Sequence, residues 1–114
     1  MEPIVLGREI VKVLEEKFAE NILLLDLKGI SDFTDCFVIA TGSSERLLNS
    51  LADAVREDIK KEYSYNPTIE GSGQTGWVIL DYGYVVVHLL SSDLREYYDL
   101  ETLWNKAKVV LSVQ

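Results

Sequence analysis

A chain of 114 residues, 47% of them hydrophobic, is long enough for one domain whose core needs neither a disulfide nor a metal. Its 19 acidic residues outnumber 11 basic ones, giving a net charge of -8, and no basic run is longer than Lys60 and Lys61. Because nucleic-acid binding depends on lysine and arginine, this balance argues against direct DNA or RNA binding. It suits either a basic protein partner or a surface that merely keeps a small protein in solution.

The segments that would indicate export or membrane insertion are missing from the sequence pattern. The single cysteine, Cys36, cannot form an internal disulfide, which suits a reducing compartment. The first residues mix charges through their apolar positions, unlike a signal peptide. No apolar run approaches the roughly 18 residues of a transmembrane helix. We therefore expect a cytoplasmic protein that does not insert into a membrane.

The first half of the chain predicts a helix followed by two strands. Pro3 suits a first helical turn, and the apolar spacing predicts an amphipathic helix that ends near Asn21. Residues 22–27 are short and almost wholly apolar, which is typical of a strand buried on both faces. After a polar turn, residues 36–41 predict a second central strand. The apolar stripe of the helix consists of Leu6, Ile10, Val13, Leu14 and Phe18.

The second half predicts a helix, three strands and a helical tail. Ser43 and Ser44 offer an N-cap for a helix whose stripe runs from Leu48 to Ile59. Residues 68–70 predict a short edge strand, and residues 77–81 and 85–90 predict a hairpin around Tyr82 and Gly83. Asp93 is predicted to cap the tail. The apolar side of that tail consists of Tyr97, Tyr98, Leu100, Leu103, Trp104 and Ala107.

This order of elements predicts the fold class. Helices that alternate with groups of strands are typical of an α/β (α+β) layer fold with a mixed, about five-stranded sheet and helices packed on it. No repeat, linker or low-complexity segment interrupts the pattern. We expect residues 1–114 to form one domain.

A glycine triplet raises the possibility of a nucleotide site. Gly71, Gly73 and Gly76 match the G-x-G-x-x-G spacing of dinucleotide-binding proteins. That motif works where a strand leads into a helix N-terminus, whose free N–H groups meet the pyrophosphate. Here β-forming residues follow the triplet and stop at Gly83. The context therefore favours a mobile turn between strands.

A second catalytic interpretation starts at Gly42 and Ser43, which follow a strand and open a helix, as in nucleotidyltransferases. Such enzymes need two convergent carboxylates to hold Mg²⁺. Asp53 is the candidate at the right distance, but it lies on a predicted helix and its i+2 neighbour is Val55. We expect a nucleotidyltransferase-like topology without the catalytic residues, no metal and no cofactor.

The single histidine, His88, is predicted to share a strand face with Tyr84, Val86 and Leu90. In that position a histidine is more often a hydrogen-bonded packing residue than a catalytic base. A nucleophile–base pair with Cys36 is the alternative. It is disfavoured because Cys36 begins a buried strand.

Aromatic residues in the second half of the chain predict a binding surface. For Tyr97 and Trp104 the favoured interpretation is core, since such side chains bury large apolar areas. Trp77 and Tyr82 differ because each abuts a glycine-flanked turn at a strand end. Aromatic anchors beside acidic residues such as Glu70 and Asp81 are typical of a protein-binding hot spot.

Three segments resemble, in order, the ribosomal silencing factor family, also called Iojap-like proteins. They are TDCFVIATGSSERLLNSLADAV (34–55), EGSGQTGWVILDYGYVVVHLL (70–90) and REYYDLETLW (95–104). The resemblance implies a small α/β protein without catalytic activity. It also implies binding to ribosomal protein fourteen of the large subunit, which prevents the small subunit from joining and lowers translation during starvation.

The resemblance implies a contact surface as well. The residues placed there are Glu70, Trp77, Asp81, Tyr82 and Gly83, with Arg95, Tyr98 and Leu100 as weaker candidates. Family members often carry aspartate where this chain has Tyr84. Proteins of this kind self-associate when free, so a homodimer that uses the same surface is expected. A role in large-subunit assembly, with the same partner, is left open beside silencing.

Overall fold

The computed structural model describes residues 2–103 and 105–114, in which helices pack on a mixed sheet. The elements are α1 (Pro3–Glu16), β1 (Glu20–Asp26), β2 (Cys36–Thr41), α2 (Glu45–Tyr63), β3 (Thr68–Ser72), β4 (Trp77–Asp81), β5 (Val85–Leu90), α3 (Ser92–Tyr98), α4 (Leu100–Leu103) and β6 (Lys108–Val113).

The sheet has six strands in the order β3-β4-β5-β2-β1-β6. The β2 and β5 strands are parallel, and the other neighbouring pairs in the described ranges are antiparallel. A parallel pair needs a long crossover, and α2 followed by the β3–β4 hairpin supplies it. The mixed α/β prediction is confirmed, with one strand more than the five expected.

The α1 and α2 helices cover one face of the sheet and form the main core. Ile10 and Leu14 of α1 and Leu51 and Val55 of α2 are fully buried there. They meet alternate residues of the central strands, because successive strand side chains point to opposite faces. The buried residues on this side of the sheet form the larger of the two apolar clusters found in the described part of the chain.

The first helix ends earlier than its apolar stripe predicts. Its last residue is Glu16, and Phe18 adopts a left-handed conformation (φ 70°) with its side chain 82% exposed. The N–H of Ala19 returns to the carbonyl of Leu14 at 2.9 Å, which closes the helix in the manner of a Schellman motif. The chain then turns directly into β1, so placing Phe18 on the buried stripe was wrong.

Serine caps begin both α2 and α3. Ser44 accepts a hydrogen bond from the N–H of Leu47 at 3.0 Å, which confirms the predicted cap. The α3 helix is capped by Ser91, whose hydroxyl accepts from the N–H of Leu94 at 3.3 Å. Asp93 lies in the first turn of α3, so its prediction as the cap was wrong.

The C-terminal segment departs most from the predicted helical tail. Two short helices are followed by β6, which pairs antiparallel with the edge of β1. Tyr97, expected in the core, is 78% exposed. The predictions for the side chains of Leu103 and Trp104 lie outside the described residues. In the described ranges, no helix combines the length and apolar composition that crossing a bilayer requires.

Candidate protein-binding face of the sheet

The face of the sheet opposite α1 and α2 is only partly covered. Leu90, Leu94 and Leu100 pack together where α3 and α4 meet the sheet. Away from them, strand register places Glu70, Ile79 and His88 in one row across β3, β4 and β5. Asp81, Val86 and Phe37 form the next row. We call this surface the open face; it consists of Phe37, Glu70, Trp77, Ile79, Asp81, Val86, His88 and Tyr98.

Aromatic rings run across the open face in a continuous chain. The ring of Trp77 lies between His88 and Tyr98, with centroid distances of 5.9 and 4.8 Å. Phe37 meets His88 edge-on at 4.6 Å, and Tyr97 meets Tyr98 edge-on at 4.9 Å. Because Trp77 and Phe37 are half-buried and the tyrosines are more exposed, the cluster has a packed base and an accessible top.

His88 anchors this cluster as a neutral side chain. The indole N–H of Trp77 donates to Nδ1 of His88 at 3.1 Å, which requires an unprotonated Nδ1. Burial lowers the pKa of His88 to about 4, against an opposing effect of Asp81. The imidazole proton therefore belongs on Nε2, which has no partner among the described residues. The prediction of a hydrogen-bonded packing histidine is confirmed.

Cys36 and His88 do not form a catalytic pair. Cys36 belongs to the helix-side core, whereas His88 packs against Phe37 on the other face. Burial raises the pKa of the Cys36 thiol to about 11, so it holds its proton at neutral pH. His88 is therefore not placed to act as a base for this thiol.

Two exposed carboxylates border the aromatic cluster. Glu70 lies on the edge strand β3, and Asp81 lies at the end of β4. Asp81 also accepts a hydrogen bond from the N–H of Gly83 at 2.7 Å, which stabilises the β4–β5 turn. Gly83 has a φ of 86°, a conformation that few other residues adopt, so its part in the predicted site is to shape the turn.

Tyr82 lies apart from the open face. Its half-buried side chain packs against the helix-side core, and burial raises its pKa to about 12. The sequence analysis placed Tyr82 and Trp77 together because each abuts a glycine-flanked turn at a strand end. The two side chains in fact lie on opposite faces of the sheet.

The three weaker candidates for the contact surface lie in different surroundings. Tyr98 joins the open face through its contact with Trp77. Arg95 donates to the carbonyl of Asn21 and, at 3.1 Å, to the hydroxyl of Thr41, so it ties α3 to the ends of β1 and β2. Leu100 is 8% exposed and packs in the smaller apolar cluster. The predicted residues that the structure brings together are Glu70, Trp77, Asp81 and Tyr98.

The sequence analysis missed several residues of the open face. Ile79 and Val86 are half-buried, and Phe37 was assigned to a buried central strand. The period of two in β4 and β5, which places Trp77, Ile79 and Asp81 on one side, is the signal that could have found them. Phe37 gave no such signal, because its neighbours on both sides are buried.

The two enzyme interpretations fit the geometry poorly. Gly71 lies in β3, and Gly73 and Gly76 lie in the turn that leads into β4, so a strand and not a helix follows the triplet. The N–H of Gly73 donates to Asn49 Oδ1 at 2.8 Å. Asp53 is exposed on α2 and pairs with Arg56 at 3.4 Å. Within residues 2–103 and 105–114, no group of three or more His, Cys, Asp or Glu side chains could hold a metal ion.

Comparison with known proteins matches the whole described chain to one family. The family described as "Ribosomal silencing factor during starvation" matches residues 2–114. The ribosomal silencing factor RsfS of Halalkalibacterium halodurans is 37% identical over 100 residues, which cover 88% of this chain and 86% of the relative.

A solved structure and a mitochondrial relative extend this comparison. A crystal structure of a protein from Chromobacterium violaceum superimposes with a TM-score of 0.86 at 31% identity and covers 92% of this chain and 88% of its own. The mouse protein named "mitochondrial assembly of ribosomal large subunit protein 1" is 31% identical over 98 residues, covering 83% of this chain and 43% of the relative.

Proposed function

Because this chain belongs to the ribosomal silencing factor family, whose role is ribosome-associated, we propose that it binds the large ribosomal subunit through its open face. The contact is with ribosomal protein fourteen of that subunit. The bound factor then occupies the surface onto which the small subunit would dock, and translation falls when nutrients are limited.

The observation that carries this proposal is the aromatic cluster around Trp77, bordered by Glu70 and Asp81 on an uncovered sheet face. Interface hot spots are enriched in tryptophan and tyrosine within packed surroundings. Carboxylates at the rim, together with a net charge of -8, complement a basic protein and speed its association. A standard interface buries about 1,600 Å² in total, which one face of this domain can supply.

This mechanism needs no chemistry. The factor acts by the volume it occupies, so it requires neither a cofactor nor a catalytic residue, and we propose that it is not an enzyme. The proposed place of action is the cytoplasm, where ribosomal subunits join.

A second copy of the chain is the alternative occupant of the open face. A C2 dimer places the same patch of both subunits in one interface, so Trp77 and Tyr98 of the two copies would be buried together. In this proposal, dimerisation and ribosome binding exclude each other. Raising the protein concentration should then reduce the fraction of molecules that are monomeric and free to bind the large subunit.

A role in assembly of the large subunit is the second candidate. It is favoured by the name of the mouse relative and uses the same surface. The two roles differ in timing: a silencing factor blocks finished subunits, whereas an assembly factor changes the yield of precursors. Measuring subunit joining with purified mature subunits separates them, because only silencing lowers it.

A matched pair of charge reversals tests the binding surface. Glu70→Lys changes the open face, and Glu57→Lys makes the same change on the exposed side of α2. We expect Glu70→Lys to bind purified large subunits about tenfold more weakly in sedimentation assays. Glu57→Lys should bind as the natural chain does. Equal weakening by both variants would mean that overall charge, not the open face, sets the affinity.

A further inference from the structure

A cavity lies on the helix side of the molecule, and none of the residues of the open face lines it. Its volume is about 440 Å³, within the range of ligand-binding clefts. It opens where three segments meet: the start of α1, the loop after α2 and the β4–β5 turn. We call it the tyrosine pocket; its walls include Pro3, Leu6, Tyr65, Asn66, Tyr82 and Tyr84.

Aromatic rings dominate the walls of the tyrosine pocket and remain accessible. Tyr84 is 68% exposed and Tyr65 is 41% exposed, although both are large enough to be buried. Tyr65 stacks on Tyr63 with centroids 6.1 Å apart and an interplanar angle of 22°, so its ring is held in place. Exposed aromatic groups around a cavity mark a binding surface more often than chance.

Tyr82 contributes a neutral side chain to the wall of the tyrosine pocket. The hydroxyl of Tyr82 is buried and has no partner among the described residues. Burial raises its pKa to about 12, with a further raising effect of Asp58 and a lowering effect of Arg56. It therefore keeps its proton at neutral pH, so Tyr82 adds a neutral ring to the wall of the pocket.

Carboxylates lie near the pocket, although none of the described residues that line it is charged. A hydrogen bond to Asp58, with burial, raises the pKa of Glu9, and Glu62 adds to the effect. Burial raises the pKa of Tyr63, and the charges of Glu9, Glu62 and Asp58 raise it further, which places this acidic group near Tyr63, the stacking partner of Tyr65 in the pocket wall.

Local cations only partly offset this group. Lys12 lowers the pKa of both Glu9 and Tyr63. Arg56 acts on Tyr82 but also pairs with Asp53 at 3.4 Å. The border of the pocket therefore favours a cationic occupant.

We propose that the tyrosine pocket is a second docking site, which binds a basic peptide segment of a partner protein. An arginine of the segment lies on the tyrosine rings, and its charge pairs with the carboxylates at the border. A guanidinium stacks on aromatic faces better than an ammonium does, so the pocket prefers arginine to lysine. This site is independent of the open face, and both can be occupied at once.

Fluorescence anisotropy with short labelled peptides tests the proposal on the full chain. The probe alternates arginine and glycine over about ten residues, and two companions carry lysine or glutamate in place of arginine. We expect binding in the order arginine, lysine, glutamate. Tyr65→Leu and Tyr84→Leu, which keep apolar bulk but remove a ring, should each weaken the arginine probe about threefold, the size of an exposed cation–π contact.

Control variants separate this site from the open face and from general charge. Trp77→Ala should leave peptide binding unchanged, and the tyrosine variants should leave large-subunit binding unchanged. The proposal is overturned if the tyrosine variants bind the arginine probe as the natural chain does, or if Trp77→Ala abolishes binding. It is equally overturned if arginine and lysine probes bind alike and respond only to Glu62→Gln, since that result indicates non-specific attraction.

Discussion

The indole N–H of Trp77 donates to Nδ1 of His88 at 3.1 Å, and this bond joins the two strands at the centre of the open face. Its direction fixes the tautomer of the histidine and holds the tryptophan ring in one orientation. A rigid aromatic anchor loses little conformational entropy on binding, which favours affinity. The Trp77–His88 contact therefore stabilises the face and limits the motion of its aromatic anchor.

Protonation of His88 should weaken the fold in mild acid. Its pKa falls from 6.5 in the unfolded chain to about 4 in the folded protein because of burial. The unfolded state then binds more protons between these values, so stability is full above pH 6.5 and falls as the pH drops toward 4. The loss is about 3 kcal/mol at most, from about 1.4 kcal/mol per pKa unit.

Urea unfolding across this pH range measures the effect, with His88→Asn as the matched control. The Asn side chain keeps an acceptor near the position of Nδ1 but does not titrate. Carboxylates titrate in both proteins, so the difference between the two curves isolates the histidine. Parallel curves from pH 7 to pH 4 would contradict the prediction.

Substitutions at Trp77 should separate the hydrogen bond from the ring. Trp77→Phe keeps an aromatic surface but leaves Nδ1 of His88 without its donor, so we expect a loss of about 1–2 kcal/mol in the free energy of unfolding. Affinity for the large subunit should change little. Trp77→Ala removes the contact with Tyr98 as well, and we expect it to bind at least tenfold more weakly.

Calorimetric titration with the purified ribosomal protein and urea unfolding measure the two effects separately. A result in which Trp77→Phe loses affinity as strongly as Trp77→Ala would show that the N–H, not the ring, makes the contact. A result in which neither variant loses affinity would place the partner elsewhere on the molecule.

Local patterns predicted the elements of this fold well where neighbouring residues decide the conformation. The Ser44 cap and the hairpin around Gly83 follow from hydrogen bonds that close within a few residues. The end of α1 could not be read in this way, because Phe18 continues the apolar stripe while its backbone turns left-handed. Only the return of the chain into β1 makes that turn favourable.

The C-terminal strand depends on contacts distant in sequence, whereas the division of the candidate site follows from alternation along β4. Val109 and Leu111 belong to β6 because the edge of β1 offers backbone partners far earlier in the chain. Tyr82 and Trp77 pack in different clusters, and because they are five positions apart, the alternation of side chains along a strand favours opposite faces. A count of aromatic residues near glycines carries neither kind of information.

Removing the N-cap of α2 should destabilise the protein by about 1 kcal/mol. The hydroxyl of Ser44 accepts from the N–H of Leu47, and Ser44→Ala leaves that donor unsatisfied. Ser43→Ala is the matched control, since Ser43 is exposed and lies outside the cap. Thermal and urea unfolding should show the loss for Ser44→Ala alone. Equal effects of the two variants would mean that the cap contributes nothing measurable.

Close packing explains why glycine occupies position 73, and it predicts that a single methyl group there is damaging. A Cβ built on Gly73 would lie 2.2 Å from the carbonyl oxygen of Glu45, a backbone atom that cannot move aside alone. The hydrogen bond from its N–H to Asn49 would be strained as well. Gly73→Ala should therefore cost about 1–3 kcal/mol, the range for forced overpacking.

Gly29→Ala is the control for this prediction, because a Cβ there meets nothing within 4 Å and only its φ of 86° is unfavourable. That strain is worth about 1–2 kcal/mol. Urea unfolding gives the total cost, and amide exchange locates it. Gly73→Ala should speed exchange in the β3–β4 hairpin and the first turn of α2, whereas Gly29→Ala should leave both unchanged. Normal protection in that hairpin for Gly73→Ala would show that the turn shifts away from α2 without loss.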